Sequence, residues 1–143
     1  MIDIESEVYN AVRTAILAKY PNCYVADAVL ATPPSYPCAY LVESDNPVYK
    51  KTVDSGSNEN HVSVMYSLEV YSNKVGGTKK GKIIPGKKAE CKAIVKIADD
   101  VLTGLGFERT MLNQIPNQND ATIYRMVGRY GATVSTDGTI YRR

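Results

Sequence analysis

Between Lys88 and Leu105, apolar residues recur at spacings of three and four: Ile94, Ile97, Ala98, Val101, Leu102 and Leu105. They form one stripe along an amphipathic helix, and Cys91 falls in it. Lys88, Lys92 and Lys96 lie opposite, one turn apart, as a basic ridge. A stripe this regular needs a flat apolar partner, and segments with strand character flank it on both sides. Gly104 and Gly106 fit a left-handed cap at its end. Its charges run against the helix dipole, with Lys87 and Lys88 at the start and Asp99 and Asp100 near the end. Each misplacement costs about 0.3–1 kcal/mol when exposed. Pairing of Lys96 with Asp99 or Asp100 offsets part of this, and an outside partner for the remainder is one reading.

The other elements follow in order. Ile2–Tyr20 reads as a first helix, capped by Asp3, with Glu5 and Glu7 at its positive end and Pro21 as its stop. Its buried face is Ile4, Val8, Ala11, Val12, Ala15 and Ile16. Cys23–Leu30 and Cys38–Glu43 read as strands around a rigid turn, Thr32–Pro37. Residues 45–60 read as a long exposed loop. From Val62 to Val70, apolar and polar residues alternate as in a half-buried strand. Asn73–Lys88 holds four glycines and six lysines and reads as a long loop. Phe107–Ile115 is a strand, and Ala121–Ser135 is a longer one with bends allowed at Gly128 and Gly131. Asp137-Gly138 marks a hairpin turn into a short last strand, Thr139–Arg143.

Strands follow strands, so neighbours are expected to be antiparallel. The predicted class is α+β: a mainly antiparallel sheet with two helices packed on one face, in the order α-β-β-β-α-β-β. With 143 residues the chain reads as a single domain, 1–143. Such a chain buries about 68–70% of its unfolded surface, enough for a core without staples. Apolar runs are far shorter than the roughly 20 residues that cross a bilayer, and no membrane association is expected. The start, MIDIESEV, has no apolar leader, so no secretory signal is read there. Three cysteines without CxxC spacing read as reduced thiols.

The net charge of +2 is unevenly divided: residues 1–73 carry −5 and residues 74–143 carry +7. Such asymmetry fits nucleic acid or acidic-to-basic contact between copies. Aromatic content is 11 Tyr with one Phe and no Trp. Tyrosine suits surfaces that are wet in one state and buried in another.

Gly76–Lys82 matches GxxxxGK between a strand and a helix, as a phosphate loop would. Ile83 stands where the magnesium-binding hydroxyl belongs, however, and Pro85-Gly86 separates the lysine from the helix, so nucleotide hydrolysis is not expected. The lysines also fit nucleic-acid phosphates, without the interleaved aromatics that bind single strands. His61 has no nucleophile near it in sequence, and Asp99 and Asp100 point apart on their helix. No catalytic, cofactor-binding or metal site is predicted, and no enzymatic activity is expected. Arg125 and Arg129 share one strand face, and Tyr130 lies on the other. With Lys79, Lys80 and Lys82, these are the predicted interface residues, with the loops 45–60 and 74–87 around them.

The element order, the two long loops and the ending RMVGRYGATVSTDGTIYRR resemble the tail terminator (tail-completion) proteins of long-tailed bacteriophages. The resemblance covers essentially the whole chain. It implies a structural virion protein, made in the host cytoplasm and assembled as a hexameric ring. The ring would sit at the head-proximal end of the tail tube, end tube polymerisation and join the tail to the head connector protein. Its partners would be its own copies, the tail tube protein and the connector. Genomic DNA would pass through the lumen without specific binding. Two other readings stay open: another phage neck or tail-tube protein, and a nucleic-acid-binding module using the 74–88 lysine loop.

Overall fold

The computed structural model describes residues 1–29, 32–48, 60–116 and 120–141. Helix α1 spans Glu5–Lys19, followed by β1 (Tyr24–Ala26), β2 (Cys38–Asp45) and β3 (His61–Ser72). Next come β4 (Gly77–Lys79), β5 (Lys82–Ile84) and α2 (Lys87–Leu105). The chain then adds β6 (Glu108–Gln114), β7 (Tyr124–Ser135) and β8 (Ile140–Tyr141).

β3 and β7 are the two longest strands, and they pair without a register break from His61↔Ser135 to Ser72↔Tyr124. The large sheet runs β1-β2-β3-β7-β6, with β8 also on β7. Its pairings are antiparallel except β1 with β2, which is parallel. The class is therefore α+β. The predicted order holds, with a small hairpin added before α2; the short last strand expected at Thr139–Arg143 is present as β8. The first strand departs from expectation, being three residues long and parallel to its neighbour. The bends that Gly128 and Gly131 would allow leave no register shift in the pairing with β3. The irregularity lies in β6, between Arg109 and Met111.

Both helices pack on one face of the sheet. α1 lies against α2 and β2, and α2 lies against β3, β6 and β7. Alternate residues supply that face: Ala39 and Leu41 from β2, Val62 to Val70 from β3, and Tyr124 to Val134 from β7. Helix α1 contributes Val8, Val12 and Ile16, as its periodicity predicts. It begins at Glu5, three residues after the predicted start; Ile4 takes the N-cap position expected for Asp3, whose Oδ1 accepts from the Glu5 backbone N–H just outside the helix (3.0 Å). Helix α2 buries Cys91, Ile94, Val95, Ala98 and Leu102. Ile94, Val95 and Leu102 together contribute roughly 5–9 kcal/mol of gross burial energy. Leu105, predicted in the same stripe, is 37% exposed because the helix ends there. Gly106 turns the chain at φ 113°, and the Phe107 N–H closes the cap on the Leu102 carbonyl (2.9 Å). Phe107 then meets the Tyr66 ring edge-on at 5.3 Å.

Most of the predicted 45–60 loop, residues 49–59, lies outside the described residues, as do Arg142 and Arg143. Val48 forms an isolated bridge with Val62.

Candidate interaction surfaces

The lysine-rich stretch is organised where a loop is predicted. β4 and β5 pair with each other alone, Gly77↔Ile84 to Lys79↔Lys82, as a separate two-stranded sheet. Lys80 (φ 51°) and Gly81 (φ 76°) form its two-residue turn. Two positive φ values in succession match the twist that a tight hairpin requires. Lys79, Lys80 and Lys82 therefore sit together at the tip, all exposed. Ile83, on the arm, is 85% exposed, and Val75, at its base, is 88% exposed. Lys82 lies in a strand, away from any helix start, so the GxxxxGK match makes no phosphate loop.

Two of the six lysines are held at the base of the arm. Lys87 Nζ donates to the Ala121 and Thr122 carbonyls, both at 3.2 Å. Lys74 approaches Glu90 at 3.9 Å, and Glu90 accepts from the Ser72 hydroxyl at 2.7 Å. Lys87, one of the charges set against the α2 dipole, is thus answered within the chain. At the other end of α2, Asp99 Oδ1 accepts from the Tyr130 hydroxyl (2.7 Å) and Arg109 Nη1 (3.1 Å), in place of the Lys96 partner read from sequence.

This contact corrects the reading of Tyr130 as an interface residue. Its side chain is fully buried, and burial followed by the bond to Asp99 raises its pKa. A Cβ on Gly128 would meet the Tyr130 ring at 3.2 Å, so the small residue leaves room for the large one. Tyr40 and Tyr66 are also fully buried. With one Phe and no Trp in the chain, tyrosine supplies most of the aromatic bulk of the interior. The surface role read from tyrosine content is overturned for these three residues.

Arg125 and Arg129 lie on the sheet face away from the helices. Arg125 is half-buried: Nε donates to Glu69 Oε1 at 3.1 Å, its guanidinium also pairs with that carboxylate, and it lies 5.7 Å from the Tyr71 ring centre. Arg129 is exposed. Of the six predicted interface residues, Lys79, Lys80, Lys82 and Arg129 are outward-facing, Arg125 is partly engaged, and Tyr130 is interior. The structure joins only the three lysines into one patch.

A second surface, missed by the sequence reading, is a groove of about 220 Å³ between α2 and β6. Val95, Leu112 and Met126 line it, and Lys92, Lys96 and Arg109 stand around it. Two of the basic-ridge lysines therefore border an apolar slot. Its signal in sequence was divided between a helix and a strand.

The remaining reactive side chains are quiet. All three cysteines are free and buried. Burial pushes the Cys23 and Cys91 thiols up to about 12 and Cys38 up to about 11, which suppresses the thiolate. His61 packs 5.9 Å from the Tyr141 ring at the start of β3. No helix among the described residues is long and apolar enough to cross a membrane.

The chain matches no protein-family model and no curated protein.

Proposed function

We propose that this chain is a structural virion protein that assembles as a ring, in hexameric form, at the head-proximal end of a phage tail tube. It ends tube polymerisation and offers its opposite side to the head connector. The observation that carries this reading is the β4–β5 arm, which combines three tip lysines with exposed Ile83 and, at its base, exposed Val75. An arm with apolar side chains in water gains stability when a neighbour covers it. Its lysines complement the acidic half of the chain, residues 1–73, so a second copy is a suitable neighbour. A heterologous contact of this kind, repeated, closes into a ring when its rotation divides a full turn.

Native mass spectrometry and negative-stain electron microscopy test the proposal on the purified chain, with and without tail tubes. Closed rings, and tubes capped at one end, are the expected result. A chain that stays monomeric at high concentration and leaves tubes uncapped overturns it.

A second reading rests on Lys79, Lys80 and Lys82 converging at the hairpin turn, which suits nucleic-acid phosphates. It predicts duplex binding that weakens steeply with salt and is lost when the three lysines are replaced. The ring reading predicts no retained complex at physiological salt, because DNA only passes through.

A further inference from the structure

Three carboxylates from distant parts of the sequence converge beside the start of α1. Asp3 precedes the helix, Glu5 opens it, and Glu43 lies near the end of β2. One oxygen from each lies within 4.8 Å of the others. Such a cluster alone is common on protein surfaces. Here it sits over buried oxygens that have no hydrogen-bond partner among the described residues: Glu43 Oε1, Asn46 Oδ1 and the Tyr66 hydroxyl. Tyr66 is fully buried and is the cross-strand partner of Glu43, so both side chains leave the sheet on the same face. Asn46 is fixed from its other end, with Nδ2 donating to the Ile2 carbonyl at 2.8 Å.

Unpartnered buried oxygens are costly, and three carboxylates at this range repel one another. One positive ion at their centre relieves both. All the candidate ligands are oxygens, the set preferred by hard cations and disfavoured by zinc or copper. A calcium ion with ligands at about 2.3–2.6 Å spans oxygens up to about 5 Å apart, which accommodates this spacing.

We propose that Asp3, Glu5 and Glu43, with the Asn46 side-chain carbonyl, bind one hard divalent cation of the calcium or magnesium class. The ion ties the first residues and the start of α1 to the end of β2. The Tyr66 hydroxyl faces the site from the core and holds a water of the ion's shell. Burial first, and then the nearby Glu43, Glu5 and Asp3 carboxylates, push the pKa of the Tyr66 hydroxyl up. The site lies within one chain and does not depend on ring assembly.

The test uses the full chain, stripped with chelator and titrated with calcium or magnesium chloride at constant ionic strength. Calorimetry is expected to show one site per chain, and the melting midpoint is expected to rise with cation. Terbium placed in the site should luminesce when tyrosine is excited, because Tyr66 faces it. Asp3→Asn keeps an acceptor for the Glu5 N–H, and Asp3 is exposed, so this variant retains the fold. It should weaken binding about tenfold or more. Glu108→Gln, on the exposed end of β6, should leave binding unchanged. The proposal is overturned if millimolar calcium and magnesium both fail to bind or to move the midpoint. Equal binding by Asp3→Asn and the parent also overturns it. So does a parent whose midpoint ignores cation while Glu43→Gln melts higher than the parent without any cation, because the carboxylates would then be sharing a proton instead.

Discussion

Gly76 and Gly86 cross at the base of the β4–β5 arm so closely that a Cβ on Gly76 would fall 2.6 Å from the Gly86 nitrogen. It would also fall 2.7 Å from the Ile84 carbonyl oxygen. All the blocking atoms are backbone, so no side chain can rotate away. The two chain segments that leave the sheet and enter α2 are thereby pressed together. The arm is a held element, aimed by the same crossing that starts the helix.

Gly76→Ala should therefore displace the arm. Overpacking against backbone costs about 1–3 kcal/mol, read as a lower urea midpoint. Ring formation should fall with it. Gly77→Ala is the control, since nothing lies within 4 Å of a Cβ there. Its midpoint should match the parent to within about 0.5 kcal/mol.

Lys80 allows stability and assembly to be separated. A non-glycine residue at φ 51° carries a backbone penalty of roughly 1–2 kcal/mol that Asn and Gly largely avoid. Lys80→Asn should hold the hairpin as well as or better than the parent, while removing one tip charge. The expected outcome is an unchanged or higher melting midpoint together with weaker, less salt-sensitive assembly. If assembly is unaffected even when Lys79 and Lys82 are also replaced, the tip lysines are not contact residues.

Tyr130 should behave as a core residue. Tyr130→Phe removes the hydroxyl that Asp99 accepts from and leaves the carboxylate to Arg109. A hydrogen bond to a charged group contributes about 1.5–3 kcal/mol, so chemical denaturation should show a loss of that order. Tyr130→Ala should cost about 3–5 kcal/mol and leave little folded protein. Neither variant should alter partner contacts except through stability, which a comparison of ring yield per folded chain would show.

The sequence exposes those parts of this fold that obey a period. The α2 stripe and the alternation of β3 are visible because one face of each is buried by many residues in succession. Tyr130 was misjudged because its ring occupies room left by Gly128, a pairing visible only once side-chain space is known. Its parity with Ala132 and Val134 on β7 was the available clue. The arm was hidden because Lys80 is a poor turn residue, so the Lys-Gly pair did not read as a hairpin. Asp3, Glu5 and Glu43 come together only when α1 is laid on the end of β2, and no local pattern connects them. The parallel pairing of β1 likewise depends on where the Thr32–Pro37 turn delivers the chain.

The turn at Asp137 offers a pH test with a defined sign. Its carboxylate accepts from the Ser135 hydroxyl and from the Thr139 N–H (3.0 Å), next to Gly138 at φ 85°. The Ser135 bond, followed by the Thr139 bond, lowers its pKa from 3.8 to about 2. In the unfolded chain the group keeps its ordinary value. Between those two values the unfolded state therefore binds more protons than the folded state, and stability rises with pH across the window. The contribution is fully present above pH 3.8 and is lost as pH falls through about 2. Asp137→Ala should accordingly lower the melting midpoint at neutral pH, with a gap to the parent that narrows below pH 3.8 and closes near 2. Because the shift comes from hydrogen bonds and not from an ion pair, added salt should leave the gap in place. A carboxyl-carbon titration by NMR reads the same group directly, and a midpoint at the ordinary aspartate value would show that the turn does not hold the carboxylate in solution.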